Sequence, residues 1–271
     1  MNINVRQRTM IAILFSVLII STLLISSLMI TDIRIDLENK NRMPSLTHPF
    51  GTDWLGRDML LRTIEGLSLS IYVGVIAALS STLIATLLTM LASINHVLDR
   101  IVTWLIDLFL SVPHLVILIL ISFSLGGGFT GVVVGLALTH WPSLTRVLRA
   151  EMLQVQSKAY VQISRNLGKS KKWVALEHIV PHLIPQIFVG FLLLFPHAIL
   201  HEAAITFLGF GLNPEEPAIG IILSESMRYL STGMWWLAFF PGLALLGIVA
   251  IFDVLGKSVK RFINPFYGLE E

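Results

Sequence analysis

Four histidines lie inside stretches that are otherwise almost wholly apolar: His114, His140, His197 and His201, with Asp107 and Glu202 as acids beside them in the sequence. Neutral imidazole is a ligand for nickel, cobalt, zinc and copper, so this set could make transient contacts with a metal chelate. His197 and His201 are four residues apart and share one face of a helix, with Glu202 about 100° further round. Such a face could line a pathway. A pathway must release what it binds, so no fixed metal site is expected. The same residues could instead satisfy one another across packed helices, with Asp107 and His140 close enough to an interface to meet water. His48, His96, His178 and His182 fall in loops or near the ends of apolar runs.

Catalysis finds little support in these residues. His201 and Glu202 open an H-E dipeptide, but a zincin helix needs a second histidine where Ile205 stands. No G-x-x-x-x-G-K-[ST] phosphate loop occurs, so nucleotide chemistry would have to reside on another polypeptide. The absence of cysteine excludes disulfides, thiolate metal sites and cysteine nucleophiles. The chain is read as a non-catalytic subunit that binds no cofactor of its own.

The elements that must position these side chains follow from composition. Of 271 residues, 55% are hydrophobic and 13% charged, against about 25% charged in soluble domains. Met10 to Ile30 is free of charge and long enough to cross a hydrocarbon core of about 30 Å. Five further apolar stretches follow at about 67–94, 101–125, 131–148, 183–210 and 235–255. Lipid offers the backbone no hydrogen bonds, so these spans must be helices. The expectation is an all-α, polytopic membrane protein with six transmembrane helices and both termini on one side.

Lysine and arginine choose that side. With the termini in the cytoplasm, the inner segments hold Arg6, Arg8, Arg100, Arg146, Arg149, Lys158, Arg165, Lys169, Lys171, Lys172, Lys257, Lys260 and Arg261. The outer segments keep Arg34, Lys40, Arg42, Arg57, Arg62 and Arg228, offset by Asp32, Asp36, Glu38, Asp53, Asp58, Glu65, Glu215, Glu216 and Glu225. The positive-inside rule therefore favours cytoplasmic termini. The basic residues are sorted by loop and not gathered on a soluble face, which argues against a nucleic-acid partner. Six tryptophans near the span ends read as interfacial anchors in lipid.

The loop from Arg149 to Pro185 is too long for a simple connector. Residues 159–167 are apolar at Ala159, Val161, Ile163 and Leu167, with Gln162, Arg165 and Asn166 between them, which predicts a short surface helix. Gly168 can end that helix with positive φ. Pro181 and Pro185 mark the start of the fifth span, where proline costs least.

The run AYVQISRNLGKSKKWVALEHIVPHLIP, from Ala159, is similar to the EAA loop of binding-protein-dependent ABC importer permeases. Gly168 and the triplet Ile179, Val180, Pro181 fall at the family positions, whereas Gln162, Ile163 and Ser164 stand where the family has Glu-Ala-Ala. HPFGTDWLGRDMLLRTIEG from His48, DLFLSVPHLVILILI from Asp107, EAAITFLGFGLNPEEPAIGIIL from Glu202 and WWLAFFPGLALL from Trp235 resemble, in order, blocks of the dipeptide, oligopeptide and nickel branch. The likeness covers Thr47 to Pro265.

The resemblance implies a type I ABC importer permease fold, the second permease of its pair, in a prokaryotic plasma membrane. It also implies a second homologous permease, two cytoplasmic ATPase subunits holding ATP and Mg, and an extracytoplasmic substrate-binding protein. Tyr160, Gln162, Ile163, Ser164, Arg165, Leu167 and Gly168 would couple to an ATPase, with Ile163 and Leu167 as buried contacts and Arg165 at the rim. Gly51, Asp53, Gly56, Arg57 and Asp58 would either dock the binding protein or form a structural loop with an exposed ion pair. The cargo implied is a metal chelate (nickel, cobalt or a metallophore complex) or a di- or oligopeptide. A secondary transporter independent of ATP is the alternative. The chain then divides into an anchor helix (1–30), an extracytoplasmic segment (31–66), a five-helix core (67–265) with its coupling loop at 149–182, and a cytoplasmic tail (266–271).

Overall fold

A computed structural model describes residues 5–30 and 33–263; the expected tail at 266–271 lies outside them. Among the described residues the regular structure is helical, with one isolated bridge between Thr52 and Asp58. Helix α1 (Val5–Met29) leads through an extended segment, with one 3-10 turn at Leu37–Asn39, to α2 (Met59–Ala92). Then come α3 (His96–Ser111), α4 (His114–Ser124), α5 (Gly128–Gln156) and α6 (Ala159–Asn166). A short α7 (Lys171–Val174) runs through a π-helical turn, Ala175–Ile179, into α8 (Val180–Phe207). Helices α9 (Ile219–Met227) and α10 (Trp236–Ile263) complete the chain.

Four of these helices are long and apolar enough to cross a membrane, or five if the bent pair α3–α4 is one span. Six spans remain compatible with the chain, because α5 has 29 residues and lacks only apolarity. Its stretch from His140 onward carries His140, Ser143, Thr145, Arg146 and Arg149. The single span expected at 101–125 is corrected: α3 and α4 meet at 94°. Pro113 has no N–H to continue the ladder, and Val112 before it is driven to extended geometry (φ −101, ψ 141). Helix α2 starts at Met59 and not Leu67, because Asp58 caps it by accepting from Leu60 and Leu61 N–H at 2.8 and 3.1 Å. Helix α5 runs on to Gln156, so the connector begins only at Ser157. Pro181 lies in the first turn of α8, as expected, and Pro185 a turn further in, while the π turn before them joins α8 to α7 in one helical run from Lys172 to Phe207.

The core lies where α2, α5, α8 and α10 pack together, around Leu148, Leu183, Phe195, Ile199, Ile222 and Leu237. Small and hydroxylated residues bring these helices close: Ser81 Oγ on α2 donates to the Ala137 carbonyl on α5 at 2.9 Å. Helix α1 packs along α10 and α2, yet only 6% of its apolar window is buried within this chain. The tryptophans divide. Trp104 and Trp235 are exposed, whereas Trp141 and Trp236 are buried inside the protein and do not serve as lipid anchors.

Segment 33–58 closes over the α9 end of the bundle. Phe50 stacks on Phe240 at 4.8 Å and Trp54 on Tyr229 at 4.7 Å. Beneath them Asp53, with no exposed side-chain surface, accepts from Arg57 Nε at 2.7 Å and from Arg62 Nη1 at 2.8 Å. Arg62 Nη2 donates to Glu225 on α9 at 2.8 Å. The exposed ion pair expected here is therefore corrected to a buried network tying the segment to α2 and α9. Removing one member of such a pair leaves a desolvated charge without its partner. Asp53→Ala should cost about 3–5 kcal/mol, read as a lower melting temperature in detergent, while Asp53→Leu combined with Arg62→Met should lose less; equal losses would mean the charges are not what holds the segment.

Candidate functional site

Three helices bring their histidines to one place. His114 is the first residue of α4, placed by the bend at Pro113; His140 lies midway along α5; His201 lies in the last turns of α8. Ring centroids are 4.5 Å apart for His114 and His140, 4.4 Å for His114 and His201, and 5.1 Å for His140 and His201. His140 Nδ1 lies 3.0 Å from the Leu136 carbonyl, one turn back in its own helix. That contact makes Nδ1 the protonated nitrogen and leaves Nε2 with its lone pair, 3.2 Å from His201 Nδ1. One nitrogen of each ring lies within 4.8 Å of the others. His140 is buried, His114 and His201 are half-buried, and His197, one turn before His201, is exposed. The cluster thus opens on the flank of the chain where His197 stands.

The two acids expected beside this face are elsewhere. Glu202 is fully buried, and its Oε1 accepts from Thr206 Oγ1 at 2.9 Å. Its Oε2 and the Ser70 hydroxyl on α2 face one another without meeting hydrogen-bond geometry. The 100° that separates Glu202 from the His197 and His201 face turns it into the interior, away from the path for which it was a candidate. Asp107 is exposed and paired with exposed Arg146 at 2.9 Å, so it too stands apart from the rings. The sequence signal that went unused was Pro113, whose bend swings His114 onto α5 and α8.

The α6 region is a second candidate site at the opposite end of the bundle. Val161 is buried against the bundle, while Tyr160, Ile163 and Leu167 are exposed, Leu167 by 75%. Helix α6 ends in a Schellman motif: Gly168 N–H donates to the Arg165 carbonyl at 3.0 Å and Lys169 N–H to the Ser164 carbonyl at 3.1 Å. Gly168 has φ 81, as its position required. Ser164 Oγ meets His178 Nε2 at 2.9 Å, and Tyr160 and Trp173 flank the same imidazole at 5.3 Å each. These contacts fix α6 to the turn that feeds α8. Gln162 Nε2 reaches the Ser157 carbonyl at 3.2 Å, while Arg165 stays exposed.

At the α9 end, Gly51 and Gly56 adopt φ 72 and 74, which side chains resist, and a Cβ on Gly51 would lie 2.6 Å from the Arg42 carbonyl. Asp58 caps α2 and lies 2.7 Å from His48 Nδ1. The Asn39 amide and nearby N–H groups hold the Asp36 carboxyl below its ordinary value. With Asp53 sealed, Gly51, Asp53, Gly56 and Asp58 serve the folding of the segment, and Arg57 alone of the five borders the polar cavity that Glu65, Glu215 and Glu225 also line.

Residues 70–265 match the family model described as "Binding-protein-dependent transport system inner membrane component". The chain is 31% identical over 234 residues to the dipeptide transport system permease protein DppC of Bacillus subtilis, covering 86% of this chain and 73% of that protein. It is 31% identical over 231 residues to the oligopeptide transport system permease protein OppC of the same organism, covering 85% and 75%. A solved structure of the MetNI methionine ABC transporter, inward facing, superimposes with a TM-score of 0.63 at 16% identity, covering 76% of this chain and 98% of that one, which establishes the fold. The family match leaves no place for the secondary-transporter alternative, and with this helical architecture it identifies the chain as a multi-pass membrane permease of the binding-protein-dependent ABC importer family, in the branch that holds the peptide permeases.

Proposed function

We propose that this chain forms half of the translocation path of an ATP-driven importer, paired with a second, similar permease and served by an extracytoplasmic binding protein. Two cytoplasmic ATPase subunits hold the ATP and Mg, and this chain carries out no catalysis. Both termini and α6 face the cytoplasm. The observation that carries this reading is the α6 surface: Tyr160, Ile163 and Leu167 expose apolar side chains on a helix otherwise held rigidly by Gly168 and His178. An apolar patch fixed on a short helix at the basic end of the bundle has the form of a knob for a groove in a partner. ATP-driven closure of the ATPases would act on the spans through differential contacts of this helix in the two states.

The cargo is a metal chelate of the nickel and cobalt class or a di- or oligopeptide. The relatives' names favour a peptide, and the histidine cluster favours a metal. Arg57, beside the polar cavity of the α9 end, is the residue of the outer cluster best placed to meet the binding protein.

The chain has no cysteine, so single cysteines report topology cleanly. Ser170→Cys should react with a membrane-impermeant maleimide only after the cells are opened, and Glu215→Cys in intact cells; the reverse pattern would end the importer reading. A charge in the α6 patch, Leu167→Asp or Ile163→Asp, should release the ATPase subunits on co-purification and lower uptake at least tenfold while the permease still accumulates in the membrane. For the cargo, His197→Ala with His201→Ala should lower radiolabelled nickel uptake without disturbing assembly with the ATPases; unchanged uptake would remove the metal reading.

A further inference from the structure

We propose that His114, His140 and His201 form a coordination site for a divalent late transition-metal ion, of the nickel, cobalt, zinc or copper class, at the bend between α3 and α4. The inference rests on the importer reading only for its use in transport; the site itself stands on four observations. First, the three ligand nitrogens converge to within 4.8 Å. Second, His140 Nε2 and His201 Nδ1 are 3.2 Å apart, close to the separation of about 3.3 to 3.4 Å of two nitrogens sharing a tetrahedral ion. Third, His140 gives its other nitrogen to the Leu136 carbonyl at 3.0 Å. That is the outer contact that orients a ligating imidazole and aims its lone pair. Fourth, His114 Nε2 is buried and has no hydrogen-bond partner among the described residues.

The fourth observation decides between the site and a plain polar contact. Imidazoles that merely satisfied one another would leave no buried nitrogen empty-handed, because a polar atom in hydrocarbon without a partner is costly. A metal ion would supply the missing partner to His114 and replace the His140–His201 hydrogen bond with two coordinate bonds, the proton of His201 Nδ1 moving to Nε2. The donor set is all nitrogen, so it suits borderline ions and disfavours Mg and Ca, which take oxygen ligands. Three facial imidazoles leave the remaining positions of the ion open. His197 stands exposed one turn before His201 on the same helix. An ion that arrives in a chelate with three donors could keep that chelate and still bind all three rings, and a free ion would complete its shell with water.

Cobalt makes the test visible. The full transporter, purified with its partner subunits, should take up one Co2+ per copy of this chain and develop visible d–d absorption. The band should be lost in His114→Ala, His140→Ala and His201→Ala, and retained in His48→Ala and His96→Ala, which lie outside the cluster. Parallel titrations with Co2+ alone and with Co2+-iminodiacetate separate the free ion from the chelate as the species bound: the tighter of the two names the source. No absorption with either species at millimolar concentration, or a band that survives in the triple alanine variant, would overturn the site. The ATPase subunits should still co-purify with His114→Ala, His140→Ala and His201→Ala, so loss of the band with assembly retained separates a failure of the metal site from a failure of ATPase coupling.

Discussion

Hydrocarbon offers no hydrogen-bond partner, so each interruption of a spanning helix must be satisfied from within the protein. This chain meets that constraint where α8 ends and where α4 gives way to α5. The end of α8 closes with Gly209 and Phe210 donating to the Thr206 and Ile205 carbonyls. The Phe210 carbonyl then accepts from Ser122 Oγ on α4 at 3.0 Å, and the Gly211 carbonyl from Gly128 N–H at 2.9 Å. Two breaks thus satisfy each other, which locks the end of α4 and the start of α5 against the end of α8. The three histidines are carried by those same three helices. Their convergence is a consequence of how the backbone was stitched.

Polar side chains show the same rule with two outcomes. At the α9 end, Asp53, Arg57, Arg62 and Glu225 form a network in which each charge has an opposite charge within 2.8 Å. It is complete, and it holds a loop in place. Glu202 has the Ser70 hydroxyl facing its second oxygen, whereas the histidine cluster keeps one buried nitrogen without a partner among the described residues. Structural polar groups in low dielectric tend to be fully paired, so an unfilled valence marks where something else is meant to fit.

Much of this was legible in the sequence. Long apolar runs indicated an all-helical, multi-pass membrane protein. Gly168 announced the end of α6, because a glycine just past an apolar helical pattern is what a left-handed cap needs. Boundaries were less legible. Hydropathy runs straight through Leu110, Val112 and Leu115, so only the pre-proline rule could reveal a right-angle bend there. Asp58 hid the true start of α2, since a cap two turns before the apolar run reads as loop. Helix α9 is short, and its sequence IGIILSESM is apolar at the front only; its burial depends on α2, α8 and α10 closing around it. Likewise the depth of Asp53 depended on Arg62 and Glu225 arriving from two other elements, which no local pattern contains.

The helical run from Lys172 to Phe207 bears the contact to α6 near one end and His201 near the other. From Lys172 to His201 is 29 steps, an arm of about 43 Å. Pivoted at its foot, a rod of that length that leans by a tenth of a radian carries its far end through about 4 Å. That exceeds the 3.2 Å between His140 Nε2 and His201 Nδ1. Grip and release among three imidazoles could then be a matter of a few degrees of inclination, with no side chain changing its rotamer.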